Sequence, residues 1–224
     1  MKRFFILLSF FTLGTVCFSC SSGQESKVVQ EKINALDPID EFWKWFAANE
    51  QRISKDRFDN EKSMGEIRKE LEKIQQGIKP HMMRTMEGIK LTITAEGQQT
   101  LFPMVKKIVE KAPKINGWEF IALLQPIPNN RIQDFLVTTP GCRLRPDQVA
   151  FSVGDKKDSL DLVIYVKGLS ESNNTSCIEA GRQWAIGVLG EYAFATKIRN
   201  LLCKPMPENE TDLKKTKPMT ELQK

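Results

Sequence analysis

The sequence predicts an α+β fold: an N-terminal helix pair, then a mostly antiparallel sheet with two helices packed on one face. Three observations point there. First, Leu91 to Gln125 reads strand, helix, strand. Leu91, Ile93 and Ala95 alternate with Thr92, Thr94 and Glu96, the period of a half-buried strand. After Gly97, residues Leu101, Val105, Ile108, Val109 and Ala112 form a helical stripe, with Lys106, Lys107, Glu110 and Lys111 opposite. Pro103 falls in the first turn, where N–H groups lack a helical partner, and Pro113 ends the helix. Trp118 to Leu124 is then a nearly continuous apolar run, as in a strand covered on both faces. Second, two helical stripes precede this unit. Third, the runs after it are punctuated by turn residues at hairpin spacing.

The helix pair comes first. Asp37-Pro38 suits an N-cap and a first helical position. Ile39, Phe42, Trp43, Phe46 and Ile53 then follow a helical stripe, which predicts core, with Trp45 to one side. From Glu61 to Gly77, the seam Met64, Ile67, Leu71, Ile74 and Ile78 alternates spacings of three and four. Pro80 to Ala95 reads as a hairpin that turns at Glu87-Gly88, with Met82, Met83 and Met86 on its first arm.

Beyond the central unit, Phe135-Leu136-Val137 is a short strand and Thr139-Pro140-Gly141 a turn. Val149–Val153 and Leu160–Val166 form a second hairpin, expected to share one sheet with Leu91–Ala95 and Trp118–Leu124. Ser176 and Glu179 have the spacing of a capping box. The helix it opens carries Cys177, Gly181, Trp184 and Val188 on one face, with small residues that let it lie close on a sheet. Gly190 ends it. Tyr192–Ile198 is expected as the last strand.

The start of the chain is of another kind. Lys2-Arg3 precedes an apolar run, Phe4 to Val16, which is shorter than the roughly 20 residues a membrane span needs. Ser19 then precedes Cys20, and a polar run follows at once. This resembles a bacterial lipoprotein signal, although Cys17 stands where an aliphatic residue is usual. The resemblance implies acylation of Cys20 and a place in the cell envelope, on the extracytoplasmic side. The alternative is cleavage after Ser19 and secretion. The expected division is a signal peptide at 1–19, a lipid-anchored tether at 20–36, one α+β domain at 37–203 and an extended C-terminal tail at 204–224.

The order of several motifs resembles one family of bacterial proteins without an established activity. They are the Phe42-Trp43-Lys44-Trp45-Phe46-Ala47-Ala48-Asn49-Glu50 opening, Ile93-Thr94-Ala95-Glu96-Gly97, Ala112-Pro113 before Gly117-Trp118, Leu189-Gly190-Glu191-Tyr192, and Pro218 to Leu222. The resemblance implies a single fold unit and supplies no function. Relatives often carry acids where Ile186, Gly187 and Ala193 stand here, and they mainly lack a signal segment.

Chemistry is sparsely marked. The 33 basic and 28 acidic side chains give a net charge of +5, too mild and too dispersed for nucleic acid. His81 is the only histidine, with no triad partner at a suggestive spacing. Cys142, Cys177 and Cys203 lack the spacing of a zinc site, and an exported compartment permits a disulfide with one cysteine left over. No cofactor motif is present. Asp155, Asp158 and Asp161 are interrupted by Lys156 and Lys157 and read as a charged hairpin tip, not a calcium loop.

Glu96, at a strand end, and Glu191, after a helix, are the most suggestive carboxylates. With Tyr192 they form the candidate pocket, against a plainer reading as solvated cap residues. The expectation is a lipid-anchored, non-catalytic module that binds a protein or small molecule. One alternative is an extracytoplasmic hydrolase or transferase using Glu96 or Glu191. Another is a scaffold that dimerises through the Met64–Ile78 seam.

Overall fold

The computed structural model describes residues 37–55, 60–154 and 160–223. The signal segment, Cys20, the tether and the hairpin tip with Asp155 and Asp158 lie outside them. The α+β class holds, with mostly antiparallel strand pairing.

Helix α1 (Pro38–Lys55) begins at the proline and buries Ile39, Phe42, Trp43, Phe46 and Ile53, the faces its stripe requires. Helix α2 (Asn60–Ile74) packs beside it. Strands β1 (Lys79–Arg84) and β2 (Ile89–Thr94) form the expected hairpin. After a 3-10 turn, helix α3 (Phe102–Glu110) crosses over to β3 (Trp118–Ala122), which lies parallel to β2. This is the predicted strand–helix–strand unit. One detail differs: β3 is an edge strand whose residues are half-buried or exposed, not covered on both faces. Its apolar run meets the aromatic residues of α1 on one side only. Phe120 sits edge-on to Trp43, with ring centroids 4.7 Å apart, and Trp118 does the same to Phe46 at 4.9 Å.

The second half repeats the path. Strands β4 (Val137–Thr139) and β5 (Cys142–Leu144) make a small separate hairpin. Strands β6 (Val149–Gly154) and β7 (Leu160–Val166) pair antiparallel, and helices α4 (Asn174–Leu189) and α5 (Glu191–Lys197) lead to β8 (Ile198–Pro205), parallel to β7. Each half is therefore a hairpin, a helical crossover and a parallel third strand.

This corrects four expectations. The strands do not share one sheet: β1-β2-β3 form one, and β8-β7-β6 another, with a further short strand, β9 (Lys217–Pro218), beside β6, each sheet with its own helices and its own core. Sequence spacing cannot distinguish one wide sheet from two narrow ones, because each strand meets only its neighbours. Tyr192–Lys197 is helical, since α4 resumes as α5 directly after Gly190, and Ile198 is the first residue of β8. Ser176 lies inside α4, and the capping box falls on the 3-10 turn Glu171–Asn173 before it, where the Ser170 N–H donates to Asn173 Oδ1 at 2.8 Å.

Residues 204–223 are not an extended tail. They carry helix α6 (Glu210–Leu213) and strand β9 (Lys217–Pro218), which pairs with β6. Met219 is buried in the second core, and Gln223 Nε2 donates to the carbonyls of Ile127 and Val188.

The small face of α4 behaves as its composition demands. A Cβ on Gly181 would stand 2.9 Å from Cys203 Sγ on β8, so only glycine lets the helix sit this close to the sheet. Trp184 on the same helix is fully buried, and its Nε1 donates to the Leu144 carbonyl at 3.2 Å.

Candidate functional site

The two suggestive carboxylates part company. Glu191 opens α5 and is fully buried. Its Oε2 accepts from Thr94 Oγ1 at 2.7 Å and from the Leu124 N–H at 2.9 Å. Its Oε1 accepts from the N–H groups of Ala95 and Gly97, each at 2.9 Å. The Glu191 N–H in turn donates to the Leu124 carbonyl at 2.7 Å. Burying a carboxylate is costly unless its lone pairs are met, and here four donors meet them. Glu191 is thus a joint between α5 in the second half and two loops of the first. It is neither the solvated cap nor the open pocket acid that the sequence suggests.

The backbone is bent to serve that joint. Glu96 has φ of 51° and Leu123 has φ of 63°, the non-glycine residues of positive φ among those described. Glu96 lies between the donors Ala95 and Gly97, and Leu123 immediately precedes the donor Leu124. Their left-handed conformations turn successive N–H groups toward one anion, the arrangement of an anion nest. Gly190 is needed for a different reason. Its φ is 76°, and a Cβ there would stand 2.8 Å from Pro126 Cδ.

Glu96 points the other way. Its side chain is 48% exposed and pairs with Lys79 Nζ at 2.6 Å, while its carbonyl accepts from Arg182 Nη2. Tyr192 is exposed, with its ring against Phe102 and under Lys106 Nζ. The structure brings the Glu96 backbone to Glu191 but holds the two carboxylates apart in character, one in solvent and one sealed. No pocket acid pair results.

The tryptophan motif is architectural too. Trp43 Nε1 donates to the Ile108 carbonyl at 2.8 Å, tying α1 to α3. Glu50 accepts from Trp118 Nε1 at 3.1 Å, tying α1 to β3. The Met64–Ile78 seam is consumed inside the same core, with Ile67, Leu71 and Ile78 fully buried. A dimer through it would have to take the core apart, so that expectation is corrected.

Cys142 and Cys177 form a disulfide across a sequence separation of 35, pinning the β4–β5 hairpin to α4. Cys177 is therefore a bridge and not a free buried thiol, a pairing that spacing alone leaves open among three cysteines. Cys203 remains free. Burial, with Glu179 nearby, pushes its thiol up to about 11, which keeps it protonated and unreactive near neutrality. Asp161 is held by Arg199 and Asn200, each at 2.9 Å from Oδ1.

Two concavities lie elsewhere. A shallow hollow of about 380 Å³ runs between the end of α3 and β3, lined by Pro113, Lys114, Asn116, Trp118 and Phe120 among others. A smaller one, of about 180 Å³, adjoins it across Trp118, by the β1–β2 turn. Neither includes Glu96, Glu191 or Tyr192. Sequence reasoning missed this place because Trp118 and Phe120 read as buried strand residues.

Among the described residues, no cluster of three or more His, Cys, Asp or Glu side chains is arranged to hold a metal, and no helix is long and apolar enough to cross a membrane. Comparison with protein-family models, curated proteins and solved structures gives no match to this chain.

Proposed function

We propose that this chain is an exported protein of the bacterial cell envelope, acylated on Cys20, whose folded domain binds a ligand or partner and is not catalytic. It is, on this reading, an exported member of the family whose motifs it resembles. The observation that carries the choice of binding over catalysis is the saturated Glu191 carboxylate. Both oxygens are committed to donors of the fold itself. A general acid or base needs a lone pair or proton within reach of substrate, and Glu191 has neither to offer. Glu96, paired with Lys79 in solvent, lacks the concave setting that such chemistry uses.

Two further features favour the reading. The Cys142–Cys177 disulfide suits an oxidising compartment outside the cytoplasm. The hollow beside Trp118 falls in the size range of small-molecule sites.

The test is Cys20→Ser in the native host, followed by membrane fractionation and intact mass. The wild type is expected in the membrane fraction with acyl chains on Cys20, and the variant in the soluble fraction. A variant that stays with the membrane, or an unacylated wild type, would leave secretion as the better account.

A further inference from the structure

Strand β1 presents a sequence whose chemistry the fold does not use. In His81-Met82-Met83-Arg84-Thr85-Met86, alternate side chains take opposite faces of the sheet. Pro80 and Met82 face the core, and Arg84, on that same face, donates to the Ile53 and Ser54 carbonyls at the end of α1. His81 and Met83 therefore share the other face. Both are exposed, Met83 at 50%, and Met86 at the hairpin end is fully exposed. Exposed thioethers gain nothing from burial.

The spacing suits a metal. Residues two apart on a strand stand roughly 6.5–7 Å apart at the backbone, which lets an imidazole nitrogen and a thioether sulfur converge on one ion above the strand. Across the ladder, His81 faces Thr92, and Met83 faces Lys90, whose ammonium is drawn to Glu119 on β3 at 2.8 Å and so away from the sulfur.

We propose that His81 and Met83, with Met86 as a further thioether, form a binding site for monovalent copper on the outer face of β1. The thioether sulfurs are the soft donors that favour Cu(I), imidazole also binds copper, and ions that prefer carboxylates find no oxygen donor in this set. Binding adds the ion to two or three lone pairs and releases no proton. The site stands on the geometry of β1 and not on the anchor, so it survives or fails independently of Cys20.

Anaerobic titration of the full chain in detergent, against a chromophoric Cu(I) chelator, tests this. Cys203 is first changed to Ser, so that its free thiol does not compete. The chain is expected to withhold a single equivalent of Cu(I) from the chelator and to retain no Zn(II). That equivalent is lost in His81→Gln and in the Met83→Leu, Met86→Leu double variant, both at exposed positions. To separate lost binding from misfolding, methionine methyl resonances of the unsubstituted β1 are followed with Ag(I); shifts confined to Met83 and Met86 support the site. Copper withheld equally by all variants, no copper withheld by the parent, or no shift at Met83 would overturn it.

Discussion

The half built on β1-β2-β3 and the half built on β6-β7-β8 follow the same path, yet they are closed by different chemistry. The first is closed by aromatic side chains with polar handles. Trp43 and Trp118 pack against Phe46 and Phe120 while their indole N–H groups reach Ile108 and Glu50. The second has fewer large side chains around α4. It gains close approach from Gly181 and Ala185, a cross-link from Cys142–Cys177, and a lid from the chain's last residues. A half rich in rings is held by area and hydrogen bonds, whereas a half rich in small residues needs covalent and terminal fastening. Glu191 is the polar bolt between them.

That comparison makes graded predictions. The largest effect belongs to the bolt. Glu191→Ala strands the Thr94 hydroxyl and three backbone N–H groups, and should cost at least roughly 4 kcal/mol at about 1–3 per unmet buried donor. Urea unfolding measures it, and separate transitions for the two halves would sharpen the picture. A loss below about 1 kcal/mol would mean that the halves are joined elsewhere.

Trp184→Ala removes the one large aromatic side chain that α4 seats in the second core and should cost about 3–5 kcal/mol in the same assay. A smaller loss would mean that α4 does not depend on its packing. Replacing Cys142 and Cys177 together with Ala should cost about 3–4 kcal/mol for a bridge of this loop length. Added reductant should destabilise the wild type by a similar amount and leave the double variant unchanged; an insensitive wild type would remove the covalent fastening from the account.

Trp118→Phe keeps a ring but gives up the bond to Glu50. It should cost about 1–2 kcal/mol, the worth of a hydrogen bond to a carboxylate. Near-zero cost would show that ring area alone closes the first half. The smallest effect is expected of Glu96→Gln. Its ion pair with Lys79 is about half exposed on both sides, so thermal unfolding should register a change within about 0.5 kcal/mol. A large loss there would undo the contrast between the two candidate carboxylates.

The sequence was legible wherever local spacing decides. The α1 stripe, the β1–β2 hairpin, α3 with its prolines, and the narrow face of α4 all follow from periodicity and punctuation. It was opaque where the answer depends on what lies across space. Nothing near Glu191 in sequence announces that its partners are Thr94, Ala95, Gly97 and Leu124, 67 to 97 residues away. The helical state of Tyr192 to Lys197 was hidden for a related reason. Alternation of Tyr192, Phe194 and Thr196 imitates a strand, and only the seat of Glu191 at its start sets the chain on a helical course. Cysteine pairing was hidden by the same distance.

The pairing of β9 with β6 has a consequence for the timing of synthesis. Ala150 and Phe151 lie opposite Pro218 and Lys217, so one border of the second sheet stays bare until Lys217 and Pro218 have been added. A bare border is a template for foreign strands, and a nascent chain exposes it at its most vulnerable. A chain cut before Lys217 should therefore self-associate through that border, a hazard the first sheet does not share, its three strands being complete by Ala122.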